Sequence, residues 1–321
     1  MEKINWGVLG TAGIAKSQTI PGMQMAENCN LYAIAGRDIN KAEAFKKEFG
    51  FEKAYGSYED LLKDENVQAV YIPLPNHIHL EWIKKASEYG KHVLCEKPMC
   101  LNAGELKEAF DSARKNGTIL MEAFAYLHSD AICKMVELAR GGEIGEIKLI
   151  EAAFFGSNNN PKDFRSYKEY GGGAVYDLGC YSISLAERIM NEAPEKISTI
   201  SRFTERGVDD FCQMAFEYKN GAIATMGCGF NGDGRSDRMV IHGSKGKIWS
   251  DMYFNQPGLC TFDVIKGDDR KHYEFNVRSN YTLEVEQLGR CILKGEKPHI
   301  SEEFSALVAE CIDRVLEDIG Y

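Results

Sequence analysis

The chain has 321 residues, 44% of them hydrophobic and 27% charged, a mixture suited to soluble globular domains with ordinary buried cores. Its 38 basic and 48 acidic residues leave a formal charge of −10, which excludes a general electrostatic attraction to nucleic acid or anionic lipid and makes a small molecule the expected partner. The opening residues lack the apolar core and cleavage site of a secretory signal, and no later stretch is apolar enough to span a bilayer, so a cytoplasmic protein is expected.

From residue 4 to about residue 122, short apolar runs alternate with helical patterns, the signature of βα units feeding a parallel sheet. The strands expected are Ile4–Leu9, Leu31–Ala35, Ala69–Ile72, His92–Cys95 and Ile119–Met121, with helices such as Asn40–Phe49 and His79–Tyr89 between them. Beyond Glu122 the rhythm changes. Strand-like segments at Glu146–Phe155, Lys196–Arg202, Phe211–Tyr218, Ala222–Gly229, Arg238–His242, Lys247–Asp251 and Leu259–Ile265 follow with few helices, which reads as a large, mostly antiparallel sheet. Lys219-Asn220-Gly221 and Gly243-Ser244-Lys245-Gly246 supply residues that tolerate positive φ in hairpin turns. A helix over about Glu302–Ile319 closes the chain. The expected fold is therefore a doubly wound Rossmann domain over residues 1–122 and an α+β domain for substrate binding and oligomerisation over residues 123–321. The ten cysteines form no CxxC and no Cys/His cluster, so reduced, mostly buried thiols and no metal are expected.

Strand Ile4–Leu9 runs into Gly10-Thr11-Ala12-Gly13-Ile14-Ala15 and then a helix, the context a dinucleotide turn requires. Gly10 permits the tight turn, Ala12 and Ala15 stand where further glycines are usual, and Gly13 restores some backbone freedom. The amides of Gly10 to Ile14 and the positive end of the helix dipole suit a pyrophosphate. The second strand ends in Ala35-Gly36-Arg37-Asp38, so glycine takes the place of the carboxylate that binds the ribose of NAD. Arg37 is placed to stack on adenine and pair with a 2′-phosphate, which favours NADP, with NAD still open because Asp38 is an alternative ribose ligand.

Two further phrases arrive at the carboxyl edge of the same sheet: Pro73-Leu74-Pro75-Asn76-His77-Ile78-His79 and Gly90-Lys91-His92-Val93-Leu94-Cys95-Glu96-Lys97-Pro98. They resemble those of the family of glucose–fructose oxidoreductase, inositol dehydrogenase and the rhizopine-catabolism protein, written Gfo/Idh/MocA, over nearly the whole chain. The resemblance implies that Leu74, Asn76, His79 and Glu96 belong to the cofactor site and that Lys97 sits beside nicotinamide and substrate. It also places Arg165, in Phe164-Arg165, near cofactor or substrate, whereas Leu127 occupies a position where relatives often carry arginine.

In the second half, Gly171-Gly172-Gly173-Ala174-Val175-Tyr176-Asp177-Leu178-Gly179-Cys180-Tyr181 resembles a family motif that more often ends in histidine. Tyr181 in that position is similar to the glucose–fructose oxidoreductase and dimeric dihydrodiol dehydrogenase branch. On an α-helix a spacing of four puts Asp177 and Tyr181 on one face, where both can address one hydroxyl. A free phenol, with a pKa of about 10, is a poor base near neutrality unless a cation such as Lys97 favours its anion. Tyr181 is thus the expected proton carrier, Lys97 its electrostatic support and Asp177 the substrate-orienting group, with Lys97 as the alternative proton carrier. The expected function is an NADP(H)-preferring oxidoreductase of a secondary alcohol or ketone in a sugar, polyol or cyclic diol, assembled as a homodimer or homotetramer. The alternatives are a sugar oxidoreductase that holds and recycles its NAD(P), and a non-catalytic NAD(P)-binding sensor.

Overall fold

The computed structural model describes residues 2–158, 160–230 and 234–321. The chain opens with β1 (Ile4–Leu9), α1 (Ile20–Met25), β2 (Cys29–Ala35), α2 (Ile39–Phe49), β3 (Lys53–Tyr55) and α3 (Tyr58–Lys63). It continues through β4 (Ala69–Ile72), α4 (His79–Glu88), β5 (His92–Cys95), α5 (Ala103–Lys115) and β6 (Leu120–Glu122). All neighbours in the six-stranded sheet run parallel, in the order β3-β2-β1-β4-β5-β6. Strand order therefore reverses between β1 and β4, the switch point at whose carboxyl edge ligands bind in such sheets. Local chemistry agrees with this winding: Asp38, Ser57 and Asn102 cap α2, α3 and α5 by accepting backbone N–H groups, and Gly50 ends α2 at φ 83°.

The second series comprises α6 (Asp130–Arg140), β7 (Ile147–Gly156), α7 (Cys180–Met190), β8 (Lys196–Phe203), β9 (Asp209–Glu217) and β10 (Ile223–Phe230). It goes on with β11 (Ser236–Gly243), β12 (Gly246–Ser250), β13 (Gly258–Lys266) and β14 (Asp269–Val277), then α8 (Asn280–Lys294) and α9 (Glu302–Ile319). The eight-stranded sheet has the order β14-β13-β12-β11-β7-β10-β9-β8, and only β7 and β10 pair in parallel. Helix α7 packs on β7 and β10, and α6 packs on β13 and β14. By contacts the chain separates into residues Met1–Ala125 with Ser279–Glu302, and Tyr126–Arg278 with Glu303–Tyr321.

Two edge strands, β3 and β14, carry no apolar run in the sequence. The former is three half-buried residues, and the first four residues of β14, Asp269–His272, are all exposed. The β11–β12 hairpin also closes differently from the expectation: among Gly243, Ser244, Lys245 and Gly246 none has positive φ. Glycine is needed at Gly243 because a Cβ there would lie 2.1 Å from the carbonyl oxygen of Ile144. All ten cysteines are free thiols, Cys133 partly exposed and the rest buried. Among the described residues no helix is long and apolar enough to cross a membrane, and no group of three or more His, Cys, Asp or Glu is arranged to hold a metal ion.

Candidate active site

In the first unit, Gly10 leaves β1 at φ 127°, and its N–H is held by the carbonyl of Ala35 at the end of β2, 2.9 Å away. An added Cβ would meet Leu74 Cδ2 at 3.1 Å, so the turn after β1 and the loop after β4 are in van der Waals contact at the switch point. Thr11, Ala12, Gly13 and Ile14 all reach solvent, and the chain is helical from residue 13 to residue 25 through a π-helical turn at Ala15–Thr19. Pro21 gives that irregularity a cause, because it has no N–H to donate one turn back. Gly13 does not need its conformational freedom: its φ is not positive and a Cβ would meet nothing within 4 Å. An accessible run of backbone at a helix start fits a pyrophosphate.

Arg37 is exposed at the end of β2 and bonds the Tyr58 hydroxyl. Asp38 is committed otherwise, since its Oδ1 accepts Asn40 N–H at 2.9 Å as the cap of α2. After β4, Leu74 and Asn76 are buried, and His79 is wholly buried with its ring nitrogens 2.7 Å from the Leu74 carbonyl and 3.1 Å from the Pro98 carbonyl. Burial holds His79 down at about 4, so its imidazole is neutral and its single N–H donates to one of the two carbonyls at a time. The ring thus ties the loop after β4 to the turn after β5.

That second turn carries Lys97. From Val93 to Cys100 every residue is buried except Lys97, and the Lys97–Pro98 peptide is cis. Three buried side chains support the turn: Glu96 accepts the Tyr71 hydroxyl, which in turn accepts from Thr19 at 2.9 Å, His79 reaches Pro98, and Glu122 Oε1 accepts Met99 N–H at 2.9 Å. Tyr71 has no motif in the sequence to mark it, and Glu122, which opens a family-like run, has none to mark its bond to Met99. Their signal is chemical, a polar side chain inside an apolar strand, which must find a partner.

In the second unit the glycine run prepares a helix start. Gly171 and Gly173 have φ of 68° and 100°, and the carboxylate of Asp209, wholly buried at the start of β9, accepts Val175 N–H at 2.8 Å. Burial pushes Asp209 up to about 6. A π-helical turn at Val175–Gly179 then feeds α7, and Cys180 N–H bonds the carbonyl of Val175, five residues back. The four-residue spacing of Asp177 and Tyr181 therefore spans a change of helical pitch, not one uniform α-helical face.

Their surroundings differ accordingly. Asp177 Oδ2 pairs with Arg165 Nε at 2.8 Å, and the guanidinium also reaches Asp163 and lies over the Phe164 ring. Tyr181 is mostly buried, its ring 5.2–5.6 Å from those of Tyr126, Phe154 and Phe254. Its hydroxyl oxygen accepts a hydrogen bond from Asn255 Nδ2 at 3.2 Å. Asn255, with φ 61°, escaped sequence reasoning because it lies 74 residues from Tyr181 in a loop without a motif. The buried His128 also belongs to this unit.

Residues 4–124 match the oxidoreductase family with an NAD-binding Rossmann fold, and residues 132–249 match the GFO/IDH/MocA C-terminal domain. The chain is 33% identical to D-xylose 1-dehydrogenase (NADP(+)) 2 of Haloferax volcanii, covering 97% of this chain and 96% of that protein. It is 31% identical to trans-1,2-dihydrobenzene-1,2-diol dehydrogenase of Mus musculus, over 99% of this chain and 97% of that one. Among solved structures, KijD10, a 3-ketoreductase from Actinomadura kijaniata in complex with NADP and TDP-benzene, superposes with a TM-score of 0.92. The two chains are 29% identical, with 99% of this chain and 98% of that one covered.

Proposed function

The chain belongs to the GFO/IDH/MocA oxidoreductase family and is an NAD(P)-dependent dehydrogenase or reductase, and from that premise we propose that it interconverts a secondary alcohol and a ketone in a sugar, polyol or cyclic diol, with NADP(H) preferred. The cofactor preference is supported by Arg37, exposed beside the turn at Gly10, while Asp38 is occupied in capping α2. Bound there, the nicotinamide supplies or takes up the hydride. Gly10 to Ile14 hold the pyrophosphate, Glu96 serves the nicotinamide ribose, and Leu74 and Asn76 complete that side, with His79 acting through the two loops it joins.

The observation that carries the reading is Lys97, the one side chain of its run to leave the core, on a turn fixed from beneath by Glu96, His79 and Glu122. Rigid support of this kind suits a group that must meet a substrate oxygen with little freedom. Tyr181 exchanges the hydroxyl proton, Lys97 polarises a substrate oxygen, and Asp177, set by Arg165, orients the substrate. A homodimer or homotetramer is the proposed assembly, supported by Ile200, Ile223, Trp249 and Leu259, exposed on strands of the eight-stranded sheet.

The test is a panel of aldoses, polyols and trans-diols with NADP and NAD in parallel, read by absorbance of the reduced nicotinamide. On the best substrate, Lys97→Ala and Tyr181→Phe should each lower kcat by about 10²–10⁴-fold, the range for a lost acid–base group, with NADP binding retained. Unchanged turnover in both variants would remove the site assignment.

A further inference from the structure

The loop between β12 and β13 reaches Tyr181 in a way that the proton-transfer reading does not use. Asn255 donates from its amide nitrogen to the phenolic oxygen. The bond occupies a lone pair of that oxygen and not its O–H, so it stabilises the oxygen more as negative charge grows on it. Its support is unusually complete. Phe254 is fully buried, its ring stacked 5.6 Å from Phe154 and edge-on 5.0 Å from Tyr126. Its N–H donates to Asp237 Oδ2 at 2.7 Å, and its carbonyl accepts from Arg235. Arg235 and Asp237 are themselves paired through Nε and Oδ1 at 2.8 Å, so one ion pair grips both main-chain groups of the residue before Asn255. Asn255 itself holds a left-handed backbone, φ 61°, a conformation that costs free energy and persists where the surroundings impose it.

We propose that Asn255 is a positioning residue for Tyr181, donating the hydrogen bond that stabilises the phenolic oxygen when the hydroxyl gives up its proton, and that the Arg235–Asp237 pair holds Asn255 in place. The inference rests on the reading of Tyr181 as the proton carrier. In the reducing direction Tyr181 gives its proton to the carbonyl oxygen, for which a bound reduced nicotinamide would supply the hydride to the carbonyl carbon. An alcohol and a phenolate result, and the phenolate is the species that Asn255 favours. Titratable and charged groups about Tyr181 include Tyr126, its ring 5.6 Å away, and the Arg235 guanidinium, which is itself paired with the Asp237 carboxylate and lies over the Tyr253 ring. Arg235 acts in the same direction as Asn255, since its charge and that of ionised Tyr181 attract.

Asn255→Gly is the discriminating variant, because glycine accepts the left-handed backbone and only the amide is lost. The full chain, labelled with carbon-13 at the tyrosine ζ position, is titrated by NMR, and the Tyr181 signal is identified by its loss in Tyr181→Phe. The midpoint should rise by about one pH unit or more in Asn255→Gly, as expected for losing a hydrogen bond to a charged group, and further in Asn255→Asp, which sets a carboxylate beside the phenol. Turnover of Asn255→Gly near neutrality should fall about tenfold with the KM for NADP unchanged. A wild-type midpoint that coincides with that of Asn255→Gly, or lies above it, overturns the proposal. Full turnover in Tyr181→Phe together with a raised midpoint in Asn255→Gly upholds the hydrogen bond and overturns the reading of Tyr181 as proton carrier, so the two failures are distinguishable.

Discussion

Glu187 shows what a single buried carboxyl does to this protein. It lies on α7 with no exposure, and burial pushes it up to about 7, although the Tyr218 hydroxyl donating at 2.8 Å, the Cys311 thiol and the charge of Arg314 all favour the ionised form. The unfolded chain releases this proton near 4.5, whereas the folded chain keeps it until about 7. Below 4.5 both states are protonated and Glu187 costs nothing. Between the two values the unfolded state binds fewer protons, so stability falls as pH rises, by at most about 3 kcal/mol, and levels off above 7. Glu187→Gln should therefore raise the urea midpoint at pH about 8 and leave it near wild type at pH about 4.5, with Tyr218 still bonded to the amide oxygen. Equal gains at both pH values would show that the carboxyl does not titrate on unfolding. Asp209, raised in the same sense, remains in both proteins, so the difference isolates Glu187.

At the scale of elements, the start of α7 depends on glycines whose necessity is steric. A Cβ on Gly173 would lie 2.0 Å from Asp209 Oδ1, at a φ of 100° that side chains avoid. Asp209 cannot retreat without releasing Val175 N–H. Gly173→Ala should thus cost about 3 kcal/mol or more, backbone strain and overlap combined, and turnover should fall with it because the same turn carries Asp177. A thermal midpoint within a degree or so of wild type would contradict this account. The sequence announced this glycine run and the Lys97 turn because each is a contiguous phrase. It also announced the parallel sheet, whose central strands are apolar on both faces. Strands β3 and β14 were not legible, since an edge strand buries little and shows no alternation. Neither were the π-helical turns, which follow from how a proline or a glycine-led start is accommodated. Asn255 and Arg235 were not legible for a third reason: each matters through a partner distant in the chain, and one sequence records no pairing.

For the whole molecule the consequential element is α8, because chain order and structural membership part company there. The segment Ser279–Glu302 belongs by contacts with residues Met1–Ala125, although it follows all eight strands of the second sheet. Its integration is chemical as well as steric. Thr282 Oγ1 donates to the Gly22 carbonyl at 3.0 Å, Asn28 Nδ2 donates to the Glu286 carbonyl at 2.8 Å, and all four groups are inside. A Cβ on Gly22 would meet Tyr281 at 2.8 Å, so α1 and α8 touch backbone to side chain. Tyr281, Val285, Leu288 and Cys291 are buried on this helix, and uncovering such side chains costs roughly 2 kcal/mol each. That sum is comparable with the entire stability of an ordinary domain, about 5–15 kcal/mol. A fragment of residues 2–125 should therefore lack a cooperative thermal transition and bind NADP weakly or not at all. The same fragment joined through a flexible linker to residues 279–302 should recover both, by calorimetry and by quenching of tryptophan fluorescence. Cooperative unfolding of the shorter fragment would mean that α8 only decorates a domain that is complete without it.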